Sequence, residues 1–260
     1  MRNMKINLFL PTLRVVTFLL ISGLMLSAVH AAGGASALED IAKAYIGKPY
    51  AARPLAKTAP SGFDCTTYVE TVLTEGRTDP GAALNLIRYS GGEAGFFTRN
   101  HFMENMWIPN AVRHGFISPI TLPGADKSSI DVDLAEWYLT NPEVADKDAA
   151  YIAQALERER FTASIAYVPV SRLTDALLTE LPGETVVFFL RRFSAPPYPW
   201  LRNSDAVMVT HMGLLFGARR LYHASSARRR VVAEDFLEYL KANRGVYGVA
   251  LYGVGFEPHE

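Results

Sequence analysis

The C-terminal part of the chain carries a series of short strand patterns, and this series limits the possible folds more than any other feature. Runs rich in β-branched and aromatic residues are separated by Gly or Pro-Gly from position 164 onward. The predicted strands span 164–168, 186–191, 207–216, 220–224 and 246–254, and a helix is predicted over 233–242. Because helical patterns come first and strands later, we predict an α+β fold with a mostly antiparallel sheet.

A predicted helix that lies well before the strand region carries the only cysteine of the chain. Asp64 is the expected N-cap after the turn-forming Ser61-Gly62 pair, and Gly76 is the expected stop. The helical spacing of one buried stripe is met by Cys65, Tyr68, Val69, Val72 and Leu73. Cys65 is therefore predicted in the first turn.

A cysteine in that position is expected to be reactive, because the unpaired N–H groups of a helix N-terminus stabilise a thiolate. We therefore expect the pKa of Cys65 to lie below its ordinary value of roughly 8.5, and iodoacetamide to alkylate it rapidly near pH 7. The alternatives are a buried cysteine that acts as a small apolar residue and one that forms an intermolecular disulfide. A lone cysteine forms no internal disulfide.

The N-terminus has the pattern of a secretory signal peptide over residues 1–31. Basic residues precede an apolar run over 15–29, and small residues surround the expected cleavage point after Ala31. A membrane anchor is the alternative, but the run is shorter than the roughly 20 residues that a bilayer span needs. We predict a periplasmic protein, or a secreted one, with no stable membrane anchor after cleavage.

The remaining residues, 32–260, suffice for one catalytic domain with a full core. The chain has 26 basic and 26 acidic residues, a balance that argues against a nucleic-acid partner. No metal-ligand spacing and no glycine-rich phosphate loop occurs, so we predict neither a metal nor another cofactor.

Helical patterns dominate between the cysteine helix and the strands. We predict a largely helical insertion over about 77–162, in which a helix begins at Asn141-Pro142-Glu143 and ends at Leu156. A capping box at Ser36 and Glu39 predicts a short helix that ends near Gly47.

Two histidines follow on neighbouring predicted strands. His211 and His223 are twelve positions apart with a turn at Gly217 between them, so an antiparallel hairpin brings them together. A sulfur nucleophile needs a base, and the base needs a partner that orients it. The catalytic residues are thus predicted as Cys65, His211 and His223, in a papain-like order.

These motifs resemble the NlpC/p60 family of cell-wall cysteine hydrolases. Asp64-Cys65, His211-Met212-Gly213 and His223-Ala224-Ser225 are similar to its Asp-Cys-Ser-Gly, His-Val-Gly and His-Ala-Ser motifs. The resemblance implies a papain-like core, with the nucleophile helix packed on an antiparallel sheet. It also implies an oxyanion role for Tyr50, which precedes the nucleophile.

The rest of the chain resembles the N-acetylmuramoyl-L-alanine amidase-like branch of that superfamily. The similarity lies in Cys65 to Thr71, Arg99-Asn100-His101-Phe102, Met106-Trp107-Ile108, Tyr167-Val168-Pro169-Val170 and Thr210 to Leu214. It implies cleavage of the amide between the muramic acid lactyl group and L-Ala, often on wall fragments. Arg99 and His101 become candidate substrate contacts, with a charged surface helix start as the alternative.

Further candidates for oxyanion or substrate binding are Asp64 and Thr66, which flank the nucleophile, and Trp200. Trp200 ends a Pro-rich stretch over 194–200 that either walls the cleft or is only a rigid connection. The expected partner is peptidoglycan or a muropeptide. Two alternatives stay open: an endopeptidase that cuts γ-D-glutamyl-diaminopimelate, and a non-catalytic module that binds muropeptides.

Overall fold

An antiparallel sheet forms the centre of the computed structural model, which describes residues 36–52, 62–141, 147–203 and 205–255. Within these ranges the sheet has eight strands. They are β1 (Ile117–Pro119), β2 (Asp126–Asp133), β3 (Arg160–Pro169), β4 (Glu184–Phe193), β5 (Ala206–Phe216), β6 (Arg220–Ser225), β7 (Arg230–Asp235) and β8 (Gly248–Val254). Their order is β2-β3-β8-β4-β5-β6-β7, and β1 pairs with β8. The mixed α+β prediction with an antiparallel sheet is confirmed.

The eight α-helices among the described residues lie mostly before the central strands. They are α1 (Ala37–Ala44), α2 (Cys65–Glu75), α3 (Pro80–Arg88), α4 (Ile108–Arg113), α5 (Leu134–Thr140), α6 (Ala149–Leu156), α7 (Asp175–Thr179) and α8 (Phe236–Ala242). A π-helical turn over Met103–Trp107 leads into α4. None of the helices in the described ranges has the length and apolar character needed to cross a bilayer.

The strand β4 is covered on both faces of the sheet. Its residues from Val186 to Leu190 are all fully buried, which is typical of a central strand. One face packs against the cluster that contains Tyr68, Val69 and Val72 of α2. The other packs against the cluster that contains Phe236 and Leu240 of α8. The sheet thus lies between the cysteine helix and α8.

The segment between α2 and β3 contains more helix than strand, but it also contributes strands. Residues 126–133, for which no strand was predicted, pair with β3 along their whole length. Residues 128, 130 and 132 are buried in regular alternation with less buried neighbours, but the strand carries many polar side chains, including the buried Ser128, and these hid the pattern in the sequence. The short strand β1 was missed as well.

Two predicted helix starts are wrong. The helix that ends at Leu156 begins at Ala149, where the side chain of Asp148 caps it, and Asn141 instead ends α5. The predicted start at Ala233 belongs to β7, and α8 begins after the cap Asp235. Pro142, Glu143, Ser61 and the predicted signal segment 1–31 lie outside the described residues.

A buried carboxylate fastens the insertion to the cysteine helix. Glu70 of α2 accepts a hydrogen bond from Nε of Arg88 at 2.7 Å and another from Nε1 of Trp107 at 3.0 Å. Glu70 is almost fully buried, and Trp107 entirely so. The helix that carries the cysteine is therefore held from both α3 and the π-helical turn.

Candidate active site

Cys65 is the first residue of α2, and its position follows from local hydrogen bonds. Oδ1 of Asp64 accepts a hydrogen bond from the Thr67 N–H at 2.7 Å, and Oγ1 of Thr67 accepts one from the Asp64 N–H at 3.0 Å. This reciprocal capping box starts the helix at the predicted residue. The helix ends at Gly76, also as predicted.

The sulfur of Cys65 touches the strand that carries His211. The backbone N–H of Met212 donates a hydrogen bond to the sulfur, and the backbone and hydroxyl of Thr66 form further ones. The pairing between β5 and β6 begins only at Leu214 and Tyr222, so Met212 lies beyond the end of that ladder.

The prediction of a lowered pKa for Cys65 is wrong. Burial, followed by the negative charge of Asp64, raises the pKa of the thiol to about 11. The hydrogen bonds from Met212 and Thr66 act in the opposite direction but are smaller. Desolvation outweighs the helix N-terminus, so Cys65 is a neutral thiol in the free protein at pH 7.

The two histidines form a hydrogen-bonded pair. Nε2 of His211 lies 2.8 Å from Nδ1 of His223. The hairpin turns at Gly217 and Ala218, which both have positive φ, and its register pairs Phe216 with Arg220. The prediction that the hairpin brings these rings together is confirmed.

The histidine rings lie in an apolar environment. Phe189 stacks on His211 with 5.5 Å between ring centroids, and Tyr239 of α8 lies edge to face with His223 at 5.0 Å. Burial lowers the pKa of His211 to about 4, helped by the charge of Arg191, and it lowers the pKa of His223 to about 3. Both rings are therefore neutral at pH 7.

Tyr50 is held near the thiol by a short backbone pairing. The N–H of Ala51 donates to the Phe63 carbonyl at 3.0 Å, and the Phe63 N–H donates to the Pro49 carbonyl at 2.9 Å. A Cβ at Gly62 would lie 2.5 Å from the Pro49 carbonyl oxygen, so this approach requires a glycine. Burial raises the pKa of Tyr50, and the charges of Cys65 and Asp64 add to the effect. Tyr50 therefore carries its proton at pH 7.

The remaining predicted contacts lie in a separate aromatic cluster. His101 packs against Trp137 at 4.6 Å, and its Nε2–H donates to the Phe96 carbonyl at 2.8 Å. Trp200 meets Phe102 edge to face at 5.3 Å. Arg99 forms an isolated backbone bridge with Tyr89. The hydrophobic cluster around Phe102 and Trp200 is distinct from the one against which Cys65 packs.

Three residues that contribute to the candidate site were not predicted from the sequence. Met212 contacts the sulfur through its backbone, Tyr239 packs on both histidines, and Glu104 accepts a hydrogen bond from the Val209 N–H at 2.6 Å. The position of Met212 next to His211 was the one available signal. Tyr239 and Glu104 come from distant segments that only the fold brings to β5 and β6.

The described residues include no group of three or more His, Cys, Asp or Glu side chains arranged to hold a metal ion. The candidate site combines a thiol hydrogen-bonded to the backbone of Met212, the residue after His211, with a pair of neutral imidazoles. Such a set suits nucleophilic attack with transfer of the thiol proton to a histidine.

Comparison with solved structures shows that the fold recurs elsewhere. A Legionella pneumophila protein of the DUF1460 family superposes with a TM-score of 0.70 at 20% identity, covering 85% of this chain and 88% of that one. A Bacteroides uniformis N-acetylmuramoyl-L-alanine amidase superposes with a TM-score of 0.64 at 23% identity, covering 84% and 99%. At these identities the likeness concerns the fold alone.

Comparison of sequences adds the family. No curated protein matches the chain. The model of the family described as AmiA-like, N-acetylmuramoyl-L-alanine amidase-like, matches residues 40–246, which include Cys65, His211 and His223. Because this match spans most of the chain, the protein belongs to the N-acetylmuramoyl-L-alanine amidase-like family.

Proposed function

We propose that the protein is a peptidoglycan amidase that hydrolyses the N-acetylmuramoyl-L-alanine bond with Cys65 as nucleophile. The observation that carries the proposal is the 2.8 Å contact between His211 and His223, together with the hydrogen bond from the backbone of Met212, the residue after His211, to the thiol of Cys65. The family supports peptidoglycan as the substrate. We also assign the core to the papain-like NlpC/p60 superfamily, on the motifs at Cys65, His211 and His223.

In the proposed reaction, His211 acts first as a general base. Its Nε2 is taken by His223, so Nδ1 is the ring nitrogen left to receive the thiol proton. The sulfur attacks the lactyl carbonyl as that proton leaves, and imidazolium His211 then protonates the departing L-Ala amine. Water next attacks the thioester, with His211 again as base, and releases the muramoyl carboxylate and the thiol.

The oxyanion of each tetrahedral intermediate needs hydrogen-bond donors. The backbone N–H of Cys65 at the start of α2 is one proposed donor, since the first N–H groups of a helix have no partner within it. The hydroxyl of Tyr50 is the second, because its raised pKa keeps it protonated. Asp64 and Thr66 support the nucleophile from either side, through the capping box and through the bond to sulfur.

Arg99, His101 and Trp200 remain proposed substrate contacts. His101 and Trp200 belong to the aromatic cluster described above. Tyr198 stacks on Trp200 at 4.7 Å with nearly parallel rings and is 47% exposed. The Pro-rich segment with Tyr198 and Arg202 also lines a surface cavity. A flat exposed ring of this kind suits contact with the apolar face of a sugar.

The proposal is tested by mass spectrometry of defined muropeptides after incubation with the protein. We expect the wild type to release a stem peptide that begins with L-Ala, and Cys65→Ala to release none. A product that keeps L-Ala-D-Glu on the sugar would replace the amidase with the endopeptidase. If the wild type and Cys65→Ala hydrolysed muropeptides equally poorly, the cysteine mechanism would be overturned and a binding module favoured.

We further propose that the protein acts in the periplasm after cleavage following Ala31, or outside the cell. The support is the signal pattern of residues 1–31, with its basic start, apolar run and small residues before the cut. N-terminal sequencing of protein recovered from the periplasm tests the proposal. A mature chain that keeps residues 1–31 would contradict it.

A further inference from the structure

One nitrogen of the histidine pair has no hydrogen-bond partner among the described residues. His223 is 1% exposed, and its Nε2 is buried without a partner, whereas its Nδ1 meets His211. Polar atoms at such depth almost always have a partner, because an unpaired one loses its hydrogen bonds to water without replacement. The missing hydrogen-bond partner of this Nε2 atom therefore needs an explanation.

The proton arrangement of the pair decides whether His211 can act as a base, a point that rests on the proposed function. If Nε2–H of His211 donates to Nδ1 of His223, then Nδ1 of His211 is free to take the thiol proton. Neutral His223 then carries its proton on Nε2. In the reverse arrangement Nδ1–H of His223 donates, His211 carries its proton on Nδ1, and it cannot accept another as a neutral base.

Without another interaction, the productive arrangement is at a disadvantage. It buries an N–H donor at Nε2 of His223, whereas the reverse arrangement buries only a lone pair there. Orphaned buried donors are rarer than under-satisfied acceptors among backbone groups, and we apply the same order to the ring. Something near His223 must therefore favour the productive tautomer.

The aromatic ring of Tyr239 is placed to do so. Its centroid lies 5.0 Å from that of His223 at an interplanar angle of 72°, an edge-to-face arrangement. It also lies 6.2 Å from the His211 ring at an angle of 27°. The face of an aromatic ring carries partial negative charge and accepts N–H donors weakly. Tyr239 of α8 thus packs against both rings of the pair.

We propose that Tyr239 is a positioning residue, whose ring accepts the Nε2–H of His223 and thereby selects the tautomer that leaves Nδ1 of His211 free. Tyr239 does not touch the reacting atoms. It acts through His223, by deciding which of the two histidines donates the hydrogen bond between them. The phenol hydroxyl takes no part, so phenylalanine fulfils the same role.

The test is 15N NMR of histidine-labelled protein at pH 7, for the wild type, Tyr239→Phe and Tyr239→Leu. In the wild type and Tyr239→Phe we expect a protonated Nε2 and an unprotonated Nδ1 on His211. In Tyr239→Leu we expect a shift toward the reverse tautomer, with kcat on muropeptides reduced about tenfold and KM unchanged. A merely structural role of Tyr239 would not reverse the tautomer in a folded variant.

The NMR result does not depend on the reaction, so the two proposals fail separately. If the wild type shows the reverse tautomer, or if Tyr239→Leu keeps the productive one, the role of Tyr239 is overturned. If the tautomers behave as expected but Cys65→Ala is as active as the wild type, the cysteine mechanism falls and the role in tautomer selection stands.

Discussion

Gly213 leaves the space into which His223 fits. A Cβ at Gly213 would lie 3.1 Å from the Cβ of His223 and 2.9 Å from the carbonyl oxygen of Tyr222. The backbones of β5 and β6 approach closely at the point where the two histidine rings meet. The glycine two residues after His211 therefore serves the geometry of the pair, by the absence of a side chain.

This contact predicts a large effect of Gly213→Ala. The added methyl group pushes β6 away from β5, and we expect a destabilisation of about 1–3 kcal/mol and the loss of most muropeptide hydrolysis. Gly253→Ala in β8 is the matched control, since a Cβ there would meet its nearest atoms at 3.4 and 3.5 Å. Equal activity of the two variants in their folded state would contradict the role of Gly213.

The raised pKa of Cys65 predicts slow alkylation near neutral pH. The thiolate is the reactive form, so the iodoacetamide rate should rise about tenfold for each pH unit until the pH approaches about 11. Mass spectrometry of the labelled protein as a function of time measures the rate. A rate that is already maximal near pH 7 would instead support the expectation that the pKa of Cys65 lies below its ordinary value.

The charge of Asp64 contributes to the same shift, which predicts faster labelling in Asp64→Asn. Asparagine caps helices about as well as aspartate, so α2 should keep its start while the pKa of Cys65 falls. The iodoacetamide rate at pH 8 should exceed that of the wild type. Circular dichroism serves as the check that the helix content is unchanged. A rate at or below that of the wild type would show that Asp64 does not raise the thiol pKa.

Three buried histidines predict a loss of stability in mild acid. Burial lowers the pKa of His101 and His211 to about 4 and that of His223 to about 3, whereas unfolded histidine titrates near 6.5. Between these values the unfolded chain binds more protons, so stability falls as the pH drops below about 6.5. Each histidine contributes up to about 1.4 kcal/mol per pH unit.

Urea unfolding between pH 7.5 and 4.5 measures this loss. The surface carboxylates Asp133, Asp205 and Asp235 have lowered pKa values, and their contribution disappears only below about 3.8, outside the window. His101→Leu should show a shallower dependence on pH than the wild type. A free energy of unfolding that stays constant down to pH 4.5 would contradict the lowered pKa values of these histidines.

The anchor of the insertion predicts a stability effect away from the reacting groups. In Glu70→Ala the guanidinium of Arg88 and Nε1 of Trp107 lose a buried partner, so we expect a loss of about 3–5 kcal/mol in the free energy of unfolding. Glu75→Ala on the same helix removes only an exposed hydrogen bond to Tyr45 and should cost less than about 1 kcal/mol. Similar losses in the two variants would contradict the anchor.

The local elements of the site were accessible from the sequence. The capping box that starts α2 involves Asp64 and Thr67, three residues apart, so the start at Cys65 follows from short-range hydrogen bonds. The hairpin of β5 and β6 likewise depends on a turn of three residues, 217–219, in which Gly217 and Ala218 have positive φ. Its register then brings His211 and His223 together without help from the rest of the chain.

The strands β2 and β7 were not accessible in the same way. The polar run Asp126–Asp133 becomes a strand because β3 offers it a full ladder, and β7 does so beside β6. Pairing with a partner overrides weak local preference. The aromatic cluster around His101 was not visible either, since Phe96 lies far along the chain from Trp137 and Tyr138 of α5.

The sequence by itself determined the helix that presents the sulfur and the hairpin that joins the imidazoles, because these depend on hydrogen bonds between near neighbours. Only the tertiary structure decided the protonation of Cys65, the surroundings of His223 and the contact with Met212. Desolvation depends on which distant segments exclude water from an atom. The spacing of residues along one segment does not contain that information.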